Sequence, residues 1–304
     1  VWTTPTAGHK RAHPVANTQG FGQEPDMDTL QAIIIAIVQG ATELFPVSSL
    51  GHAVVLPALL HWNLDQHAPS FLPFLVMLHV GTATALLAYF WRDWWALAKG
   101  VLGLGDAHQV TEARRVFQLI VIATIPAVIV GFVLEHVFRD LFGAPTVAAT
   151  FLLVNGVLLL FGERLRAHTH RPLSSLKALD ALIIGGWQCT ALIPGISRSG
   201  ATIVGGLLRG INHEAAAHFC FLIATPIILG ATVLEVPKLL HASIPAGTFT
   251  LAALAAIVAG VTALASTAFL MRYFRAHDTM ALNPFAYYCL VIGAGSLAVL
   301  LLAR

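Results

Sequence analysis

The chain has 304 residues, 57% of them hydrophobic and only 11% charged, with 17 Lys and Arg against 15 Asp and Glu and a formal net charge of +2. A soluble domain carries about 25% charged residues, so the composition excludes a water-soluble globular protein, and the near-neutral charge gives no footing for a nucleic-acid partner. Cys189, Cys220 and Cys289 lack metal-ligand or redox spacing and read as small buried hydrophobes.

Residues 1–26 are polar and rich in Pro, Gly and His, without the apolar run of a signal peptide. They are expected to form a disordered or non-native N-terminal extension ahead of Met27 and Asp28. Residues 29–61 are apolar but broken by Phe45-Pro46-Val47-Ser48-Ser49. Continuous apolar stretches follow at 71–91, 116–138 and 144–162. A second broken stretch, 178–211, is interrupted by Ile193-Pro194-Gly195-Ile196-Ser197-Arg198-Ser199-Gly200, and three more apolar stretches follow at 215–236, 247–271 and 284–303. At 1.5 Å per residue each continuous stretch can cross a hydrocarbon core of about 30 Å. The alternating segments of about 10 residues that mark a transmembrane barrel are missing.

Non-helical backbone at membrane depth is tolerated only inside protein or beside a wet cavity, so both broken stretches are expected to be re-entrant helical hairpins. They resemble each other: Gln39 leads to Thr42-Glu43-Leu44-Phe45-Pro46 as Gln188 leads to Thr190-Ala191-Leu192-Ile193-Pro194. The expected fold is an all-α integral membrane protein with six transmembrane helices and two re-entrant hairpins, one membrane domain over 27–304. Its copies, 29–162 and 178–303, each hold one hairpin and three crossings, and an odd number of crossings inverts the second copy. Inverted repeats with broken helices commonly build a central site at their interface. Loops 92–115, 163–177, 207–214 and 272–283 hold 11 of the 17 basic residues, which makes that side cytoplasmic by the positive-inside rule. Trp91, Trp94 and Trp95, beside Arg92, read as an interfacial anchor.

Two charges fall well inside apolar sequence, Glu43 and Arg198, at equivalent places in the two copies. Ionisable groups at that depth cost at least about 2.5–3.5 kcal/mol and mark function by default, although a Glu–Arg bridge pinning the hairpins together would account for them too. Gln39 and Glu43 share a helix face, and Ser49 and His52, three apart, can point to one place as a nucleophile and its base. Ser197, Arg198, Ser199, Gly200 and Thr202 gather hydroxyls, a guanidinium fork and a helix N-terminus, the makings of a phosphate site. His79, Asn155 and Glu163 read as packing or helix-end residues, and His168 and His170 as members of a solvated basic loop.

The run Gln39 to His52 (QGATELFPVSSLGH), together with Pro194 to Thr202 (PGISRSGAT), resembles the two signature motifs of the bacterial undecaprenyl pyrophosphate phosphatases, the bacitracin-resistance family. The resemblance implies an inner-membrane, multi-pass phosphatase that removes one phosphate from a C55 polyprenyl diphosphate, recycles the carrier lipid for cell-wall synthesis and confers bacitracin resistance, with its site open to the periplasmic face. Glu43 then matches the essential acid, Ser49 and His52 the nucleophile and base positions, and Arg198 the diphosphate clamp. Ser48, Ser197, Ser199, Gly200 and Thr202 fall on phosphate-binding positions. A divalent cation, Mg²⁺ or Ca²⁺, is implied, with Gln39 and Glu43 as its protein ligands. The nucleophile stays open between Ser49, His52 and water, and a homodimer stays open too. A C55 tail held by about 0.8 kcal/mol per buried CH₂ stays in the bilayer, so a lateral apolar cleft to the hairpin tips is expected. The alternative from another class is an inverted-repeat transporter or flippase of a polyprenyl phosphate lipid.

Overall fold

A computed structural model describes residues 28–62, 64, 71–134, 141, 144–166, 171–241 and 246–302. The expected extension at 1–26 lies outside the described residues, as do His168 and His170.

Among the described residues the regular elements are helices, with one isolated bridge between Arg171 and Ile211. In chain order the helices are α1 (Thr29–Thr42), α2 (Ser49–Leu59), α3 (Phe71–Tyr89), α4 (Trp91–Val101), α5 (Ala107–Val133) and α6 (Pro145–Leu165), then α7 (Ala178–Cys189), α8 (Arg198–Leu208), α9 (His213–His241), α10 (Ala246–Ala276) and α11 (Asn283–Leu302). Among the described residues, α5, α6, α9, α10 and α11 are each long and apolar enough to cross a membrane, and α3 with α4, a pair bent at a short break, would bring the number to at most six. The chain is a multi-pass helical membrane protein. Outward-facing Phe117, Val121, Ile125, Val128 and Phe132 on α5 recur at helical spacing, an apolar surface suited to lipid and not to water.

The expected loop 92–115 is instead the amphipathic helix α4 and the start of α5. The chain bends by 75° between α3 and α4, where Trp91 and Trp95 are exposed and carry the Arg92 and Lys99 cations over their rings at 5.5 and 5.3 Å. The helix α5 begins well before its apolar zone because the Asp106 side chain caps it, accepting the Gln109 N–H at 2.8 Å.

The two broken stretches are short helices separated by turns. At 14 residues α1 is about 21 Å long and α8, at 11, about 16 Å, so neither crosses a bilayer core alone. The first break follows from Pro46, which disfavours helix at Phe45, and from Ser48, whose φ of 70° is left-handed for a non-glycine residue. In the second, Gly195 has φ of 103°, and a Cβ there would lie 2.4 Å from the Ala148 carbonyl.

Packing partners exchange in pairs between the two halves. The helix α1 packs on α10 as α7 packs on α5, α3 on α10 as α9 on α5, and α2 on α11 as α8 on α6, while α3 meets α9 and α6 meets α11. Two equivalent contacts depend on a missing side chain, since a Cβ on Gly40 of α1 or Gly185 of α7 would each sit 2.3 Å from a carbonyl of its neighbour. At the start of α7, the buried Asp180 accepts from Arg171 at 3.0 Å and Arg209 at 2.7 Å, tying the entry of the second broken stretch to its exit.

Candidate active site

The two breaks meet, and the side chains at their tips converge on Glu43. Its carboxylate is 7% exposed. Oε1 accepts from Arg198 Nη2 at 3.0 Å, and Oε2 accepts from Ser49 Oγ at 2.5 Å and Gln39 Nε2 at 3.0 Å. His79 Nε2 lies 3.5 Å from Oε2. The carboxylate is thus enclosed by donors, which is what makes a buried charge tolerable. Arg198 gives one arm to this bridge, while its Nη1 is buried with no hydrogen-bond partner. A guanidinium nitrogen is a charge-assisted donor of the kind that binds carboxylate and phosphate oxygens.

Ser48 and Ser49 do different work. Ser48 caps α2, its Oγ accepting from Gly51 N–H at 3.2 Å, while Ser49 faces Glu43. His52 is not paired with Ser49. The single hydroxyl proton of Ser49 goes to Glu43, and both ring nitrogens of His52 are engaged elsewhere: Nδ1 with the Ser48 carbonyl at 2.6 Å and Nε2 with Tyr288 Oη at 2.8 Å.

In the second break, Ser197 caps α8, accepting from Gly200 N–H at 3.1 Å, and lies 3.0 Å from Ser199 Oγ. Both serine hydroxyls reach the Phe45 carbonyl, at 3.3 and 2.9 Å, and Thr202 donates to the Arg198 carbonyl at 2.6 Å. The Ser197 and Ser199 hydroxyls thus join the second break to the first, while Thr202 bonds within α8.

Three residues outside the expected set belong here. His79 of α3, read from sequence as a packing imidazole, stands against the Glu43 carboxylate, with Nδ1 2.7 Å from the Leu75 carbonyl; its depth in an apolar span was the signal for it. Asn155 of α6 joins the breaks, donating to the Pro46 carbonyl at 2.9 Å and accepting from Ser197 N–H at 3.0 Å. Tyr288 of α11 carried no sequence signal, because it lies 236 positions from its partner. Glu163, expected at a helix end, is there, accepting from the Met280 and Leu282 N–H groups at 2.8 and 3.1 Å and bound to His213 at 2.9 Å.

Asn155→Leu is expected to orphan a buried carbonyl and a buried N–H, at about 1–3 kcal/mol each. The thermal midpoint of the detergent-solubilised protein should fall by several degrees, and an unchanged midpoint would mean that the bridge holds nothing.

An apolar groove of about 340 Å³ runs along α5, between Trp94 of α4 and Pro226 of α9. It is lined by none of the site residues. The site reaches the surface through His79, 28% exposed, and Tyr288, 41% exposed.

A divalent cation would meet two oxygens here. Gln39 turns Nε2 to Glu43 and leaves Oε1 buried without a partner, and Glu43 Oε1 takes a single donor. Among the described residues no group of three or more His, Cys, Asp or Glu side chains gathers as a metal cage. The donor set fits a hard cation held partly by phosphate, since Mg²⁺ commonly uses one or two carboxylates plus substrate oxygens.

Residues 32–295 match the model of the family described as bacitracin resistance protein BacA. The undecaprenyl-diphosphatase of Granulibacter bethesdensis is 66% identical over 285 residues, covering 90% of this chain and 97% of that protein. Those of Acidiphilium cryptum and Gluconacetobacter diazotrophicus are 58% and 56% identical, covering 89% and 90% of this chain and 98% of each relative.

Proposed function

The chain belongs to the bacitracin resistance protein BacA family, and from that membership we propose that it is an integral membrane phosphatase that hydrolyses undecaprenyl diphosphate to undecaprenyl phosphate and inorganic phosphate. This recycles the lipid carrier for cell-wall synthesis and accounts for bacitracin resistance. The observation that carries the chemistry is the Ser49 hydroxyl bonded to the Glu43 carboxylate, beside a guanidinium with one free arm. The decisive experiment is phosphate release from undecaprenyl diphosphate by purified protein in detergent. Release by wild type is expected, and its absence from folded protein would sink the proposal.

The terminal phosphate docks with its oxygens on Arg198 and the α8 N-terminus. Ser49 Oγ attacks the terminal phosphorus in line, its proton passes to Glu43, and the bond to the bridging oxygen breaks to release undecaprenyl phosphate. Charge on the transferring group is stabilised by the Arg198 fork and backbone amides, the dominant contribution in phosphoryl transfer. Ser197 and Ser199 keep these donors aligned by holding the two breaks together. Gln39 and Glu43 would hold a Mg²⁺ or Ca²⁺ ion shared with the diphosphate, which would neutralise phosphate charge. Chelation is therefore expected to lower phosphate release and added Mg²⁺ or Ca²⁺ to restore it; a chelator-indifferent rate would remove the cation from the scheme.

The fold that serves this chemistry is an inverted-topology repeat, copies 29–162 and 178–303, with α1–α2 and α7–α8 as re-entrant hairpins. The pairwise exchange of packing partners and the half-length helices support it. The basic loops support an orientation with the α4 side in the cytoplasm of a bacterial inner membrane, and with it a site open to the periplasmic face. Impermeant thiol labelling of single cysteines in the loops between crossings tests this orientation.

A further inference from the structure

We propose that the Tyr288 hydroxyl relays a proton to His52, the terminal base for the water that attacks in the second half of the reaction, when the phosphoserine at Ser49 is hydrolysed. The inference rests on Ser49 as nucleophile, as set out above.

Hydrogen-bond valence fixes the state of His52. A carbonyl only accepts, so the Nδ1 that lies 2.6 Å from the Ser48 carbonyl carries the ring proton. In the neutral ring Nε2 then bears the lone pair, and the Tyr288 hydroxyl, 2.8 Å away, donates to it. The two rings are also stacked, with centroids 5.6 Å apart and planes 15° from parallel. The imidazole is therefore clamped from both ends of the fold. Ser48 is held by its cap on α2 and Tyr288 by α11, which packs along α6.

This arrangement leaves His52 free of the first half. The only hydroxyl proton of Ser49 already points at Glu43, so attack on the terminal phosphorus has its base in place. The phosphoserine that results must be opened by water, and the chain needs a second base for it. In that step a water oxygen forms the new bond to phosphorus and the Ser49 Oγ–P bond breaks. The water proton goes to Tyr288 Oη as the Tyr288 hydroxyl proton moves to His52 Nε2, and Ser49 Oγ takes back the proton stored on Glu43. Inorganic phosphate leaves, and His52 returns its proton to solvent.

Tyrosine suits both states of this ring. Its hydroxyl donates to Nε2 before the step and can accept from Nε2–H after it, because a phenol offers both a proton and lone pairs. Phenylalanine would keep the stacking and do neither.

The test uses the full chain in detergent with undecaprenyl diphosphate radiolabelled in the terminal phosphate, quenched on the millisecond scale. Tyr288→Phe should lower steady-state phosphate release by about 10²-fold, at the lower end of general acid–base effects. The first release of undecaprenyl phosphate, stoichiometric with enzyme, should survive, and acid-stable label should accumulate on the protein. His52→Asn should show the same pattern and Ser49→Ala no label. A disturbed fold would lower the burst and the label together, so accumulation separates the relay from packing. Wild-type turnover and label in Tyr288→Phe would overturn the proposal, as would slow turnover without trapped label. Turnover by Ser49→Ala, or acid-labile label on wild type, would instead remove the nucleophile assignment beneath it.

Discussion

Arg198→Ala is expected to lower kcat/KM for undecaprenyl diphosphate by about 10³–10⁵-fold, the range for removing an arginine that stabilises phosphoryl transfer. Nη2 is bound to Glu43 at 3.0 Å while Nη1 is buried and unpartnered, so one side chain both holds the acid in place and offers a donor to the departing charge. Alanine removes both contributions. The variant should still fold, because Glu43 keeps Gln39, Ser49 and the nearby His79 as partners. Arg198→Lys should recover little, since an ammonium is a point charge that cannot bridge the carboxylate and a phosphate in a planar fork. Phosphate release within tenfold of wild type by a folded Arg198→Ala protein would take Arg198 out of the site.

Glu43→Gln should remove about 10²–10⁴-fold of kcat and all phosphoenzyme formation. The amide is nearly isosteric and can still accept the Ser49 hydroxyl through its oxygen, but it cannot take the proton that attack releases. Its NH₂ group would also meet Arg198 or Gln39, both of which donate to this carboxylate. The expected signature is a fall in kcat larger than any change in KM, because the lost interaction belongs to the chemical step. A labelled phosphoserine formed at the wild-type rate would exclude Glu43 as the base.

Much of this site was legible without coordinates because a buried charge is costly and rarely accidental. Glu43 and Arg198 stand out in a chain with 11% charged residues, and the Pro and Ser breaks beside them mark where helices stop. Gln39 was legible through the helix face it shares with Glu43, while Ser48 and Ser197, expected at phosphate-binding positions, are the caps of α2 and α8 in the structure. The Ser49–His52 pairing expected from a three-residue spacing did not form, since spacing places two side chains on one face and says nothing of stronger partners brought in from elsewhere. Ser49 found Glu43 and His52 found Tyr288.

Composition and periodicity alone determined the helical membrane class, the apolar stretches, the two broken stretches and the pair Glu43 and Arg198. These follow from the cost of exposing polar backbone or charge to hydrocarbon, a property of the local sequence. Only the tertiary structure decided which hydroxyl faces the acid, that His79 stands against Glu43, that Asn155 ties the breaks together, and that Tyr288 holds His52. The His79, Asn155 and Tyr288 contacts join residues tens to hundreds of positions apart, and they are chosen by the packing of α3, α6 and α11 around the breaks, which no local pattern encodes.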